Sequence, residues 1–351
     1  CSSYIVTSGG ELLRYINKKK VKVIRLPVHS KNPILMFFNS LILIFIIFFF
    51  NISIVHARSR APAWSCLLAT KVTRRKFVTT FHGTYNFNGF MKKFYNSVML
   101  RSDLIIAGSN FIFSHINENY SKYLINLKKK FLVIFRGINT DYFNSNIIKQ
   151  LEENKLISFW NIDKNKKLIL LPGRLTSWKG QEMFIEAINL VNKEIDRETF
   201  NVVILGSDQG RKIYKQKLLR LVEQYRLTNQ VKFIDSCKNM PLAYKISDLI
   251  VSSSIEPEAF GRVSVEAQSM EKPIIASNIG GSNETIIDNK TGLLFESGNP
   301  QALSNKLKEI IKLDTLTLDL MGNEGRKNVL NRFNIEKMCF NTYSEYKKLI
   351  N

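Results

Sequence analysis

The run Leu168-Ile169-Leu170-Leu171-Pro172-Gly173-Arg174-Leu175-Thr176-Ser177-Trp178-Lys179-Gly180-Gln181 passes from a strand pattern through a loop into a helical one. Four branched apolar residues, too few for a helix, stop at a Pro-Gly pair, and a helical period resumes near Gly180. Strand, loop and helix in that order are half of a βαβ unit, and such units hold ligands at the carboxyl ends of their strands. The loop puts Gly173, Arg174 and Lys179 there. A glycine lets the backbone approach a ligand, an arginine grips two oxygens in one plane, and a lysine offers a point charge beside a helix amino terminus. A diphosphate suits that combination. Taken alone, the segment also fits two solvated surface cations.

Working outward, short β-branched or aromatic runs alternate with helix-length stretches along the whole chain, the pattern of parallel βαβ units. Strands are expected at 4–7, 21–26, 52–57, 77–81, 104–107 and 132–135, and again at 168–171, 202–205, 231–234, 249–251, 273–276 and 293–295. The polar stretch 144–165 contains no strand pattern and reads as a linker. The expected fold is therefore α/β: two Rossmann-like doubly wound domains facing across a cleft, with residues 1–150 in the first and 151–335 in the second. A length of 351 residues agrees with two domains. Position 1 is Cys rather than Met and a strand follows almost at once, so a first strand and turn are expected upstream of Cys1.

The formal charge of +22 is unevenly placed. Residues 1–150 hold 22 Lys or Arg against 4 Asp or Glu, whereas residues 151–351 hold 29 against 25. The first half thus carries a cationic field that attracts polyanions or an anionic membrane surface, although an Ile-, Asn- and Lys-rich composition would also produce it. Within it, Ile34 to Phe50 is apolar except for Asn39 and Ser40, and follows Lys18, Lys19, Lys20, Lys22 and Lys31. Three readings apply: a membrane span, a helix wholly buried, or a helix whose outer face dips into the membrane. The four cysteines, Cys1, Cys66, Cys237 and Cys339, form no C-x-x-C pair, so neither a zinc site nor a disulfide framework is implied and a reducing cytoplasm fits.

A second constellation, Ser252-Ser253-Ser254-Ile255-Glu256-Pro257-Glu258-Ala259-Phe260-Gly261-Arg262-Val263-Ser264-Val265-Glu266, also runs from a strand end into a helix. A helix starting near Gly261 would leave the N–H groups around Arg262 and Val263 free for phosphate. Glu258 and Glu266 suit sugar hydroxyls, because one carboxylate accepts from two neighbouring OH groups. Alternatively, Glu258 is a solvated loop acid and Glu266 pairs with a nearby cation.

Read together, these segments resemble the retaining nucleotide-sugar glycosyltransferases of the GT-B architecture, glycosyltransferase family 4, marked by a Glu, seven residues, Glu motif. Glu258 to Glu266 matches that motif, and Gly173-Arg174 with Lys179-Gly180 looks like the family's phosphate clamp. Glu271-Lys272-Pro273-Ile274-Ile275-Ala276-Ser277, Gly280-Gly281 with Glu284, and Thr291-Gly292-Leu293-Leu294-Phe295 match further. His56 to Trp64, Thr80-Phe81-His82-Gly83-Thr84-Tyr85 and Ala107-Gly108-Ser109-Asn110 resemble transferases of lipopolysaccharide core and other envelope polysaccharides.

The resemblance implies a UDP- or GDP-sugar donor held by Gly173, Arg174, Lys179, Phe260, Gly261, Arg262, Val263 and Glu266, with His82 and Glu258 as catalytic groups. It implies a glycan or lipid-linked acceptor, for which Arg58, Arg60 and Arg136 are candidates. Arg136 stands where the family often has an Asn-Gly turn. Residues 336–351 would form a helix returning to the first domain, and the family's glycine-rich turn after its first strand would lie upstream of Cys1. No cofactor is expected. Neither is a metal, since no D-x-D triplet or ligand-spaced cluster occurs. The expected place is the cytoplasm, peripheral on the inner face of the cytoplasmic membrane.

Two rivals remain. A nucleotide-sugar epimerase shares the architecture but does not need a basic, apolar first domain, and a phosphorylase would need a pyridoxal lysine site that has no signal here. A basic nucleic-acid or membrane-binding module without enzymatic activity would interleave cations with aromatics, whereas the lysines 128–130 sit in an expected loop, so no nucleic-acid partner is expected.

Overall fold

The computed structural model describes residues 2–85, 89–124 and 130–351. Cys1, Lys128 and Lys129 lie outside the described residues. The chain forms two compact units, one of residues Cys1–Ile134 with Phe340–Asn351 and one of Phe135–Cys339.

The first unit contains β1 (Ser3–Thr7), β2 (Val21–Arg25), α1 (Pro33–Phe49), β3 (Ile54–Ala57), α2 (Arg60–Thr73), β4 (Lys76–Phe81), α3 (Phe90–Asn96), β5 (Leu104–Ala107), α4 (Asn110–Leu124) and β6 (Lys130–Val133). All pairings are parallel, but the six strands divide into a pair, β1-β2, and a four-stranded sheet in the order β3-β4-β5-β6. An apolar cavity of about 570 Å³, lined by Tyr4, Val6, Leu43, Ile47 and Val55, lies between them. The last strand of this sheet begins at Lys130, earlier than the pattern suggests. Phe135 has left it because its ring packs edge-on against Phe333, 5.5 Å away, in the second unit's core.

Neither the spanning nor the wholly buried reading of α1 holds. Asn32 caps the helix, accepting from Ile34 N at 2.9 Å, and Pro33 sits at its first position. Leu43, Ile46 and Ile47 are buried with Asn39 and Ser40, while Ile34 and Phe49 are 65% and 68% exposed. Among the described residues no helix is long and apolar enough to cross a membrane.

The second unit follows with α5 (Gln150–Phe159), β7 (Lys167–Pro172), α6 (Gln181–Val191), β8 (Phe200–Leu205), α7 (Lys212–Gln224), β9 (Val231–Ile234), α8 (Met240–Lys245), β10 (Leu249–Ser252), α9 (Arg262–Ser269), β11 (Ile274–Ser277), α10 (Ser282–Thr285), β12 (Leu293–Phe295), α11 (Pro300–Ile311) and α12 (Thr315–Arg332). Its strand order is β12-β11-β10-β7-β8-β9, all parallel. Alternate residues serve two cores: Ile169, Val202 and Val251 join one, and Leu170, Val203 and Ile250 the other. A parallel sheet covered on both faces explains why its strands read as unbroken apolar runs.

The boundary expected at residue 150 falls instead at Ile134/Phe135. The stretch 144–165 is no free linker, because Ile148, Leu156 and Ile162 pack against the second unit's core. Phe143 and Trp160 are buried in the same core. The last helix, α13 (Ile335–Ile350), starts in this unit, and from Phe340 its residues group with the first. There Lys130 Nζ contacts Glu345 at 2.5 Å, and Tyr346 Oη meets His56 Nδ1.

Candidate active site

In the second unit the chain builds β7, β8 and β9 to one side and then returns to place β10 on the other side of β7. The switch point between β7 and β10 is where an open α/β sheet leaves a crevice beyond its strand ends. The two loops singled out from sequence emerge there. They are clipped together: Ser253 Oγ donates to Lys179 O at 3.0 Å and Ile255 N to Trp178 O at 2.8 Å. Gly180, at φ +70°, lies so close that a Cβ would collide with Ser253 O.

This contact aims Lys179. Its stem crosses Gly173, where a Cβ would lie 3.6 Å from the lysine Cδ, and its ammonium stands 4.4 Å from the Trp178 ring centroid. Lys179 Nζ donates to Glu258 Oε1 at 2.6 Å, and Ser254 Oγ donates to the same oxygen at 2.6 Å. Lys179 and Glu258 side chains are only 13% and 11% exposed. Arg174 is exposed on the other side of the loop, with Nη1 3.5 Å from Gln209 Oε1 beyond β8.

Glu258 is set by the loop after β11. Gly281 N donates to Glu258 O at 2.6 Å, and a Cβ on Gly281 would fall 2.5 Å from Phe260 Cα. Gly261, at φ +77°, then starts α9. The first N–H groups of a helix have no partner within it, so those of Arg262 and Val263 are the donors available there. The Phe260 side chain is spent on the core, edge-on to Phe333 at 5.7 Å, and Val263 packs against that core as well.

Glu266, one turn into α9, is 6% exposed. One of its oxygens takes Arg262 Nε and the other accepts from Tyr244 Oη at 2.9 Å. Burial, then the charge of Glu266, pushes the Tyr244 phenol far above its ordinary pKa, and Glu258 acts in the same direction. Both carboxylates therefore act on one buried phenol. Sequence reasoning missed Tyr244, which sits among apolar residues on α8 and reads as core; a lone hydroxyl on that face is the signal it carried.

In the first unit Arg58 and His82 follow the adjacent strands β3 and β4, and Arg58 Nε donates to His82 Nε2 at 3.2 Å. His56 lies behind them, its Nε2 2.7 Å from Thr80 Oγ1. Burial, then Arg58 and His82, lowers its pKa to about 3, so it is neutral at neutral pH. Arg60, expected to face an acceptor, is engaged inward: Nη1 donates to buried Asn96 at 2.9 Å and the guanidinium lies 4.3 Å from the Tyr85 ring centroid. Arg136 belongs to the second unit and is half-buried beside Gly137, which packs on the Asn334 backbone. The described residues contain no group of three or more His, Cys, Asp or Glu placed to hold a metal.

Comparison with known proteins bears on the fold and the family. The profile described as Glycosyl transferases group 1 matches residues 152–328, and that described as Glycosyltransferase Family 4 matches residues 2–142. A crystal structure of a glycosyltransferase from Rickettsia africae is 36% identical, with a TM-score of 0.89 over 99% of this chain and 90% of that one. Anabaena HepE in complex with UDP-glucose shares the fold, at 19% identity and a TM-score of 0.82 over 98% of this chain and 91% of that one. Among curated proteins, an uncharacterized glycosyltransferase of Methanocaldococcus jannaschii is 29% identical over 73% of this chain, a match spanning 62% of that relative's length. With a profile match over half its length and a relative of 36% identity along almost all of it, the chain belongs to the glycosyl transferases group 1 family.

Proposed function

We propose that this protein transfers a sugar, with retention of anomeric configuration, from a nucleoside-diphosphate sugar to a glycan or lipid-linked acceptor of the lipopolysaccharide-core kind. The observation that carries this reading is the pairing of Lys179 with Glu258 and Ser254 beside the start of α9, at the sheet's switch point.

In the proposed mechanism Lys179, Arg174 and the N–H groups at Arg262 and Val263 take the diphosphate, and so compensate the charge that grows as the sugar–phosphate bond breaks. Glu258 orients the sugar, with Lys179 shared between it and the phosphate. Glu266, fixed by Tyr244 and Arg262, takes the ribose hydroxyls. The leaving phosphate oxygen accepts the proton of the attacking acceptor hydroxyl, so transfer needs no separate base. His82 is assigned to the reacting sugar, and Arg58 to an anionic acceptor. UDP- and GDP-sugars are the donors to test first, since a protein of this fold is described with UDP-glucose. The proposed place of work is the inner face of the cytoplasmic membrane, reached through the basic first unit and the outer face of α1.

Thermal-shift screening against nucleotide sugars is the first test. A donor at 100 times its Kd adds about 2.7 kcal/mol of stability. Lys179→Ala and Glu258→Ala should each abolish transfer from the donor that gives the largest shift, while circular dichroism stays native. Turnover by either variant near that of the parent would refute the assignment.

A further inference from the structure

The first unit carries an apolar groove of about 620 Å³, lined by none of the site residues assigned above, where α1, α2 and α3 meet. Met36 and Phe37 form one wall, Trp64 and Leu68 the second, and Met91 and Phe94 the third. Ser40 Oγ and Ser65 Oγ both donate to Met36 O, at 2.8 and 2.9 Å, so the helices approach closely with their polar groups satisfied. A volume of this size suits a small apolar ligand.

Three cations line it as well: Lys31, Lys71 and Arg101. The Arg101 guanidinium lies 5.2 Å from the ring centroids of Trp64 and Phe94, at the edge of the apolar wall. No ion pair among the described residues involves any of the three. The sequence explains why. Between Glu11 and Asp103 there is no acidic residue and there are 16 Lys or Arg, and Asp103 itself accepts from Phe77 N at 2.8 Å. Beside the groove α1 continues as an exposed apolar face through Phe38 and Phe45, 54% and 65% exposed. An open apolar groove lined by three cations that lack acidic partners among the described residues, next to a face that can enter the headgroup boundary, matches a molecule with a hydrocarbon body and an anionic head.

We propose that one acyl chain of an anionic phospholipid seats in this groove, with the lipid phosphate at Lys31, Lys71 and Arg101. The inference rests on the membrane-surface part of the proposed function and adds to it a defined lipid site.

Trp64 makes the site measurable, because the other two tryptophans, Trp160 and Trp178, belong to the second unit. The whole chain is mixed with phosphatidylglycerol vesicles carrying brominated acyl chains, and co-sedimentation and tryptophan emission are followed together. The chain should sediment with quenched emission, and the quenching should disappear in Trp64→Phe although that variant still sediments. Leu68→Glu should lose the quenching while keeping its thermal shift with donor. Lys31→Ala and Lys71→Ala should each weaken vesicle binding about fivefold. Sedimentation without quenching from Trp64 would mean docking by the α1 face alone and would overturn the site. Equal quenching by brominated phosphatidylcholine would overturn the anionic head. Failure to sediment would remove both the site and the membrane-surface reading, whereas the donor assay would still report on the transferase reading.

Discussion

Glu266 accepts two hydrogen bonds before any ligand arrives, one from Arg262 and one from Tyr244. A buried carboxylate held from two sides has little freedom left to lose on taking the ribose proposed for it, which is the energetic value of preorganisation. Hydrogen bonds to charged groups contribute about 1.5 to 3 kcal/mol, so Tyr244→Phe should raise the donor Kd roughly tenfold or more while the chain stays folded. Calorimetric titration with the donor, and with its 2′-deoxy analogue, checks this: the analogue should be affected less by the substitution. An unchanged Kd for the ribose donor would show that Arg262 alone holds Glu266. At this scale the charged residues were legible in advance because cations and acids stand at strand ends, where ligands sit. Tyr244 was not legible, since its partner lies 22 residues away on another helix. The inward course of Arg60, too, depends on Asn96, 36 residues away.

At the level of elements, the candidate site rests on two loops, and their mutual fit hinges on backbone contact. Gly180 combines a left-handed φ with contact against Ser253 O, whereas Gly210, at φ +83°, has open space around its Cβ position. Gly210→Ala should therefore cost only the backbone strain of a left-handed residue, about 1 to 2 kcal/mol. Gly180→Ala should cost more and also misplace Lys179, lowering donor affinity as well as the unfolding midpoint. Equal effects of the two substitutions, measured by denaturant titration and donor binding, would contradict the clip between the loops. All twelve strands among the described residues were visible from their apolar runs, because a strand's signature is local. How the first six divide into a pair and a sheet was not visible, since pairing joins residues far apart in the chain.

At the scale of the molecule, the last helix ties back to the first unit through Tyr346 and His56. His56 is buried and its pKa falls from 6.5 to about 3. The folded state thus binds fewer protons than the unfolded state in this interval. The stability His56 contributes is complete above pH 6.5 and is lost as pH falls towards 3, at up to about 1.4 kcal/mol per pH unit. Thermal melts between pH 7 and 5 should show a shallower decline for His56→Gln than for the parent, even though the variant starts lower. Parallel declines would mean that His56 is protonated in the folded chain.

The two-domain α/β architecture, the strand positions and the motif that places the chain in its family were written in local pattern. Strands buried on both faces must be apolar throughout, and loops at strand ends must carry the chemistry. The division at Ile134/Phe135, the half-exposed lie of α1, the pairing of Lys179 with Glu258 and the choice of Tyr244 as partner of Glu266 came with the packed structure. Each is a contact between distant segments, and such contacts are selected by complementary shape and satisfied polar groups rather than by neighbouring residues.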